Sequence, residues 1–197
     1  KYYLYCILGS NVISMLRLED MKLMEIQDYS GLISSPPSYI DTYGGMFVVV
    51  LPADHKICEG NIYGDKHVLK CIGGTAGFTN GAVDSALFKK PSFIAFSNDG
   101  NYLLVTDEEN HCVRKITRPP GSDKNILEDS YSQVETVAGV CGSLSVSHMN
   151  KFKFPKGISI HPSGLYFLVV DSGSRQIKKV SLKDTNTWNS TSRTISV

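Results

Sequence analysis

The chain has no sizeable excess of charge of either sign. Its 20 lysines and arginines face 19 aspartates and glutamates, a formal net charge of +1. No long-range field is therefore available to gather nucleic acid or an anionic membrane, and such a partner would need a local patch. Long apolar runs are also missing. The longest, such as Met46 to Leu51 and Tyr166 to Val170, fall well short of the roughly 20 residues that cross a bilayer. No membrane span is expected. Tyr2 to Leu8 lacks the basic-then-apolar layout of a secretory signal, and Lys1 rather than Met stands first, so the natural N-terminus is expected upstream. None of this assigns a compartment.

Metal-binding and nucleophile motifs are scarce as well. The five cysteines (Cys6, Cys58, Cys71, Cys112 and Cys141) form no CxxC pair and no metal-like spacing. They are expected to be scattered and mostly reduced thiols rather than a disulfide framework, with no pairing fixed by their spacing. His55, His67, His111, His148 and His161 make no HxH or HExxH array and are expected to be structural or surface residues. Gly73-Gly74, Gly77 and Gly81 precede no helix, so they are loop glycines rather than a phosphate cradle. The single tryptophan, Trp188, is expected in a loop. No metal, cofactor or catalytic set emerges.

What the chain does contain is itself, repeated. Pro155 lies 64 residues after Pro91, and at the same offset Ser163-Gly164 follows Asp99-Gly100, Val169-Val170-Asp171 follows Val105-Thr106-Asp107, and Ile177 to Val180 follows Val113 to Ile116. A run ending in glycine, Val68 to Gly74 and again Val134 to Gly139, supplies a further strand per repeat. An eroded copy is visible at Pro37 to Ile40 and Phe47 to Val50, and a fainter one opens the chain. Within each repeat the strands are short and rich in β-branched and aromatic residues, and Asn98-Asp99-Gly100-Asn101 is a strong hairpin turn. Four antiparallel strands per repeat follow. Units of this kind cannot bury both faces alone, so they stack radially as blades of a β-propeller.

A proline opening a Phe-Ile or Gly-Ile strand, a hairpin, and then Asp107 followed by Asn110-His111-x-Val113-Arg114-Lys115-Ile116 together resemble the NHL repeat. Gly73 to Ile116 is the clearest copy. Val134 to Val180 departs from the pattern by carrying Ser174-Arg175 in place of Asn-His. The resemblance implies an all-β, six-bladed propeller of four-stranded antiparallel blades. It also implies a class whose members bind proteins or RNA, with some relatives acting as lyases or lactonases.

Three to four blades are counted here, against about four to eight in a closed propeller. Missing blades of the same chain or a second subunit are therefore expected to complete it. The expected divisions are a partial blade over 1–35, an eroded blade over 36–74, an NHL blade with an inserted loop over 75–139, and a blade with a C-terminal outer strand over 140–197.

The repeat positions Pro91, Asp107, Asn110, His111, Pro155 and Asp171 are read as structural, the aspartates as acceptors of backbone N–H bonds that hold turns. Glu108-Glu109 are read as a solvated turn, and Arg114-Lys115 and Lys178-Lys179 as blade-surface charges with one residue of each pair on each side of the sheet. The candidate binding face is the set of loops entering each blade: Lys89 and Lys90, then Lys151, Phe152, Lys153 and Lys156, together with the inserts Arg118 to Ser132 and Cys141 to Lys151. Lysines with phenylalanines would suit single-stranded RNA; alternatively Phe88 and Phe154 pack between blades and the lysines are solvated.

The leading expectation is a non-catalytic, protein-binding scaffold. The alternatives are an RNA-binding propeller, or an extracytoplasmic hydrolase or lyase whose metal site lies in blades not represented. Asn189-Ser190-Thr191 is a glycosylation triplet that would matter in a secreted protein.

Overall fold

A computed structural model describes residues 3–7, 12–17, 20–28, 34–61, 69–143, 151–182 and 194–195. Asn189, His67, His148 and Trp188 lie outside them. Among the described residues, four antiparallel sheets follow one another along the chain. The first is β1 (Tyr3–Ile7), β2 (Val12–Arg17) and β3 (Lys22–Asp28); the second is β4 (Tyr39–Tyr43), β5 (Met46–Leu51), β6 (Lys56–Asn61) and β7 (Lys70–Gly73). After the short β8 (Gly81–Ala82), the third sheet runs through β9 (Pro91–Phe96), β10 (Tyr102–Asp107), β11 (Cys112–Thr117) and β12 (Gln133–Gly139), with β8 added outside β12. The fourth is β13 (Pro155–Ile160), β14 (Tyr166–Asp171), β15 (Gln176–Ser181) and β16 (Thr194–Ile195). Each is a meander, and the inner strands β1, β4, β9 and β13 neighbour one another in that order. This is the blade arrangement of a β-propeller.

The central strands β5 and β10 read as continuous apolar runs, Phe47 to Leu51 and Leu103 to Val105, because both of their faces are covered. Alternate side chains serve different neighbours. Val105, Ile94, Phe96 and Ile116 pack with Val48, Val50, Ile57 and Ile72 of the second sheet. Leu104, Val113, Ala95 and Ala138 pack with Ile158, Phe167, Val169 and Val180 of the fourth. The hairpin at Asn98 to Asn101 is an Asx turn: Asp99 accepts from the Asn101 N–H at 3.1 Å and from Ser97 Oγ at 2.6 Å. Gly100 sits at φ 68°, pressed so closely against the Tyr43 ring that a Cβ would overlap it.

The cysteine expectation is overturned. Cys58 bonds to Cys71, and Cys112 to Cys141. The cause is register, invisible in linear spacing. Cys58 and Cys71 are directly opposed on β6 and β7, while Cys141 follows two residues after Gly139, the register partner of Cys112.

Candidate partner-binding rim

One end of the blades is built by a repeated latch. After β10 the chain makes a 3-10 turn, Glu108–Asn110, and leaves it through His111 at φ 58°; after β14, Ser172–Ser174 and Arg175 at φ 55° repeat the geometry. This turn carries a buried carboxylate to the loop that enters the same blade. Asp107 accepts the Lys89 N–H at 2.8 Å, and Asp171 accepts the Lys153 N–H at 2.6 Å. The turn also reaches the next blade. His55 Nδ1 accepts the Lys90 N–H at 3.0 Å, and His111 Nδ1 accepts the Phe154 N–H at 3.2 Å. Burial lowers the His111 pKa, and with Nδ1 accepting, the neutral ring carries its proton on Nε2.

Arg114 and Lys178 are not surface charges. Strand register places them at equivalent positions, opposite Val105 and Val169, and each reaches the carboxylate of its own blade. Arg114 Nη1 lies 3.0 Å from Asp107 with both side chains fully buried, and Lys178 Nζ lies 2.6 Å from Asp171. Of the partners in each pair, Lys179 is exposed, while Lys115 is half-buried with its ammonium over the Tyr102 ring and 3.6 Å from Glu135. Alternation along the strand does place one residue of each pair on each face, but the face that takes Arg114 and Lys178 is turned to the buried aspartate of the blade rather than to solvent. Burial raises the Asp107 pKa to about 6, against the opposing pull of Asn110, the Lys89 N–H and Arg114, and burial likewise lowers the Arg114 pKa.

The other candidates divide. Phe152 is buried at 5% exposure in the core between the third and fourth sheets, as Phe88 is between the second and third, so Phe152 cannot stack on a ligand. The second blade-packing ring is thus Phe152, whereas Phe154 is half-buried with its edge against the His111 ring. Lys89, Lys90 and Lys156 gather around two acids: Lys89 reaches Glu109 at 3.8 Å, Lys90 reaches Glu109 at 3.6 Å and Glu108 at 3.8 Å, and Lys156 reaches Glu108 at 3.7 Å. Glu108 is itself buried, so this turn is not the solvated one expected. Lys153 is exposed, and the Lys151 carbonyl accepts from Lys178 Nζ.

Beside this charge cluster opens a cleft of about 570 Å³, lined by Ala76, Gly77, Phe78, Lys89, Glu109, Asn110, His111 and Gly142. Phe78 is 53% exposed, and Val140, two residues before Gly142, is 50% exposed. The backbone on either side of Phe78 is fixed. Asn110 Nδ2 donates to the Gly77 carbonyl at 2.6 Å and to Asp107 at 2.8 Å, while Arg114 Nη2 donates to the Thr79 carbonyl at 2.8 Å and to Asn80 Oδ1 at 2.7 Å. The Asp107 network therefore fixes the backbone that carries this half-exposed ring, which rests against Gly142. Sequence reasoning passed over Phe78 and Val140, because a lone apolar residue in a loop carries no periodic signal.

The insert Arg118 to Ser132 does not join this rim. Arg118 bonds Asn101 at the hairpin end of the blade, and Ile126 and Leu127 are fully buried, their N–H groups donating to Glu59 at 3.2 and 2.6 Å. Among the described residues no three His, Cys, Asp or Glu side chains are grouped to hold a metal, and no helix is long and apolar enough to cross a membrane.

Solved structures with this architecture are numerous. The β-propeller domain of Cps50 (Swd1) from Myceliophteria thermophila superposes with a TM-score of 0.57 at 14% identity, over 95% of this chain and 50% of its own. A chain of the nidogen/laminin complex matches at 0.60 and 12% identity, over 98% of this chain and 60% of its own. An auxiliary nutrient binding protein from Bacteroides thetaiotaomicron matches at 0.65 and 20% identity, over 90% and 44%. At these identities the likeness is one of fold. In sequence, residues 88–116 match the family described as NHL repeat.

The chain carries an NHL repeat on a β-propeller fold.

The matched NHL repeat, Phe88 to Ile116, is also the segment that holds Lys89, Lys90, Asp107, Asn110, His111 and Arg114. The family signature and the latch that builds the rim are the same residues. No curated protein matches the chain in sequence. The chain spans about half the length of the solved propellers it resembles.

Proposed function

We propose that this NHL propeller segment is a non-catalytic interaction module whose rim around Phe78 binds a protein partner. The observation that carries the reading is the half-exposed ring of Phe78. Exposing an aromatic side chain to water is unfavourable, and here the carbonyls on both sides are tied to a buried ion-pair network that fixes the backbone carrying the half-exposed ring. An aromatic anchor on a fixed backbone, sharing its cleft with Lys89 and Glu109, has the make-up of a protein-binding hot spot with a polar rim. Three of the rim lysines face Glu108 and Glu109, so little uncompensated positive charge is left to follow a phosphate backbone.

A photo-reactive amino acid placed at position 78 tests this in the native cell. The expected outcome is one discrete protein adduct, absent when the same group stands at Asp123 on the opposite end. Adducts dominated by RNA, or none at position 78, would reject the reading.

A further inference from the structure

The two disulfides share one design. Each ties the third strand of a blade to its outer strand or to the residues just beyond it: β6 to β7 through Cys58–Cys71, and the start of β11 to the end of β12 through Cys112–Cys141. Four of the five cysteines are used in this way. The outer strand is where a blade is weakest, because among the described residues β7 pairs on one side only and β12 gains only the two-residue β8 on its far side.

In the second blade the cross-link also stands where the ionic latch is missing. Register places Cys58, opposite Val49, at the position of Arg114 and Lys178, and Leu51 at the position of Asp107 and Asp171. The ion pair of the later blades is replaced there by an apolar side chain and a sulfur bridge. In the third blade Cys112–Cys141 adds to the ion pair, and it sets the rim, because Gly142 follows Cys141 and lies under the Phe78 ring with its N–H bonded to the Asn110 carbonyl at 2.9 Å.

We propose that both disulfides are permanent structural bonds and that the chain matures and works in an oxidising, extracytoplasmic compartment. This stands apart from the partner-binding reading above. Two independent cysteine pairs, at different positions but each fastening a third strand to its blade's outer edge, with no CxxC in the sequence and no metal grouping among the described residues, fit a scaffold rather than a redox relay, and such bonds do not persist where thioredoxin and glutathione keep thiols reduced. Each bond forms when two thiols release two protons and two electrons by thiol–disulfide exchange. The electrons pass to a disulfide oxidant of the compartment, which is reduced to its dithiol.

The direct test alkylates free thiols in intact native cells with a membrane-permeant maleimide, followed by mapping of the full-length protein without reductant. The expected result is that Cys58, Cys71, Cys112 and Cys141 are unlabelled and recovered as the two linked peptides 58–71 and 112–141. Labelling of these four residues in the cell, or linkage in other pairs, overturns the proposal. As a second measurement, the paired variants C58A/C71A and C112A/C141A should each lower Tm by roughly 5–10 °C. Reductant should lower the wild-type Tm and leave a variant lacking all four cysteines unmoved. An unchanged wild-type Tm in reductant overturns the structural role.

Discussion

The Arg114 guanidinium lies 3.0 Å from the Asp107 carboxylate, and neither side chain is exposed to solvent. Removing one partner leaves the other charge buried and alone, which costs about 3–5 kcal/mol. Arg114→Met is therefore expected to lower the chemical-denaturation free energy by that amount, whereas Lys115→Met, on the other face of the same strand and half-buried over the Tyr102 ring, should cost about 1 kcal/mol or less. Equal losses from the two substitutions would contradict the latch.

Arg114 also holds the Thr79 carbonyl beside Phe78. The conservative variant Arg114→Lys keeps the charge opposite Asp107, so it is expected to retain more stability than Arg114→Met. A compact ammonium cannot reproduce the planar fork that reaches Asp107 and the loop together, so residues 77–80 should be held less tightly. Amide hydrogen exchange over 77–80 should rise in Arg114→Lys, while exchange in the β13–β15 hairpins stays unchanged.

The same burial has a pH consequence. The Glu59 carboxyl is pushed up to about 7, chiefly by burial, and the Asp107 carboxyl to about 6. A carboxyl whose folded-state pKa exceeds its unfolded value binds its proton more tightly when folded. Its contribution to stability is therefore full below the unfolded value, near 4.5 for Glu59, and is lost as pH rises through about 7. Glu59→Gln should flatten the stability profile between these limits, removing a slope worth on the order of 2–3 kcal/mol across the window. Urea midpoints at pH 5 and pH 8 measure it, and an unaltered profile would show that Glu59 titrates normally.

Gly139 and Gly164 both have positive φ, 87° and 66°, but only Gly139 abuts backbone: a Cβ there would stand 2.7 Å from the His111 carbonyl oxygen, while nothing lies within 4 Å of one at Gly164. Gly164→Ala should cost about 1 kcal/mol for the left-handed backbone alone. Gly139→Ala should cost at least twice as much and displace the His111 turn. Thermal denaturation of the pair separates strain from crowding.

Much of the fold was legible because a repeat states its pattern more than once. The offset of 64 aligned Pro91 with Pro155 and Asp107 with Asp171, and the Asp99-Gly100 turn named its own geometry. The failures share one cause, which is that they depend on what lies opposite. Arg114 looks solvated until β10 is set against β11, and Cys58 looks unpaired until β7 is set against β6. Ile126 and Leu127 sit in an insert with no periodicity, and only the Glu59 carboxylate, 67 and 68 residues away in sequence, shows that the insert is docked. Phe78 was silent because its importance comes from exposure rather than from pattern.

The central claim is that Phe78 is a preorganised anchor for a protein. Its most direct test is the affinity of the partner captured at position 78 for Phe78→Ser, set against Tyr131→Ser, which removes an aromatic ring that is 76% exposed elsewhere on the surface. A fall of at least about tenfold for Phe78→Ser, with Tyr131→Ser unchanged and both variants folded, is the predicted result; equal affinity for the two variants would contradict the account.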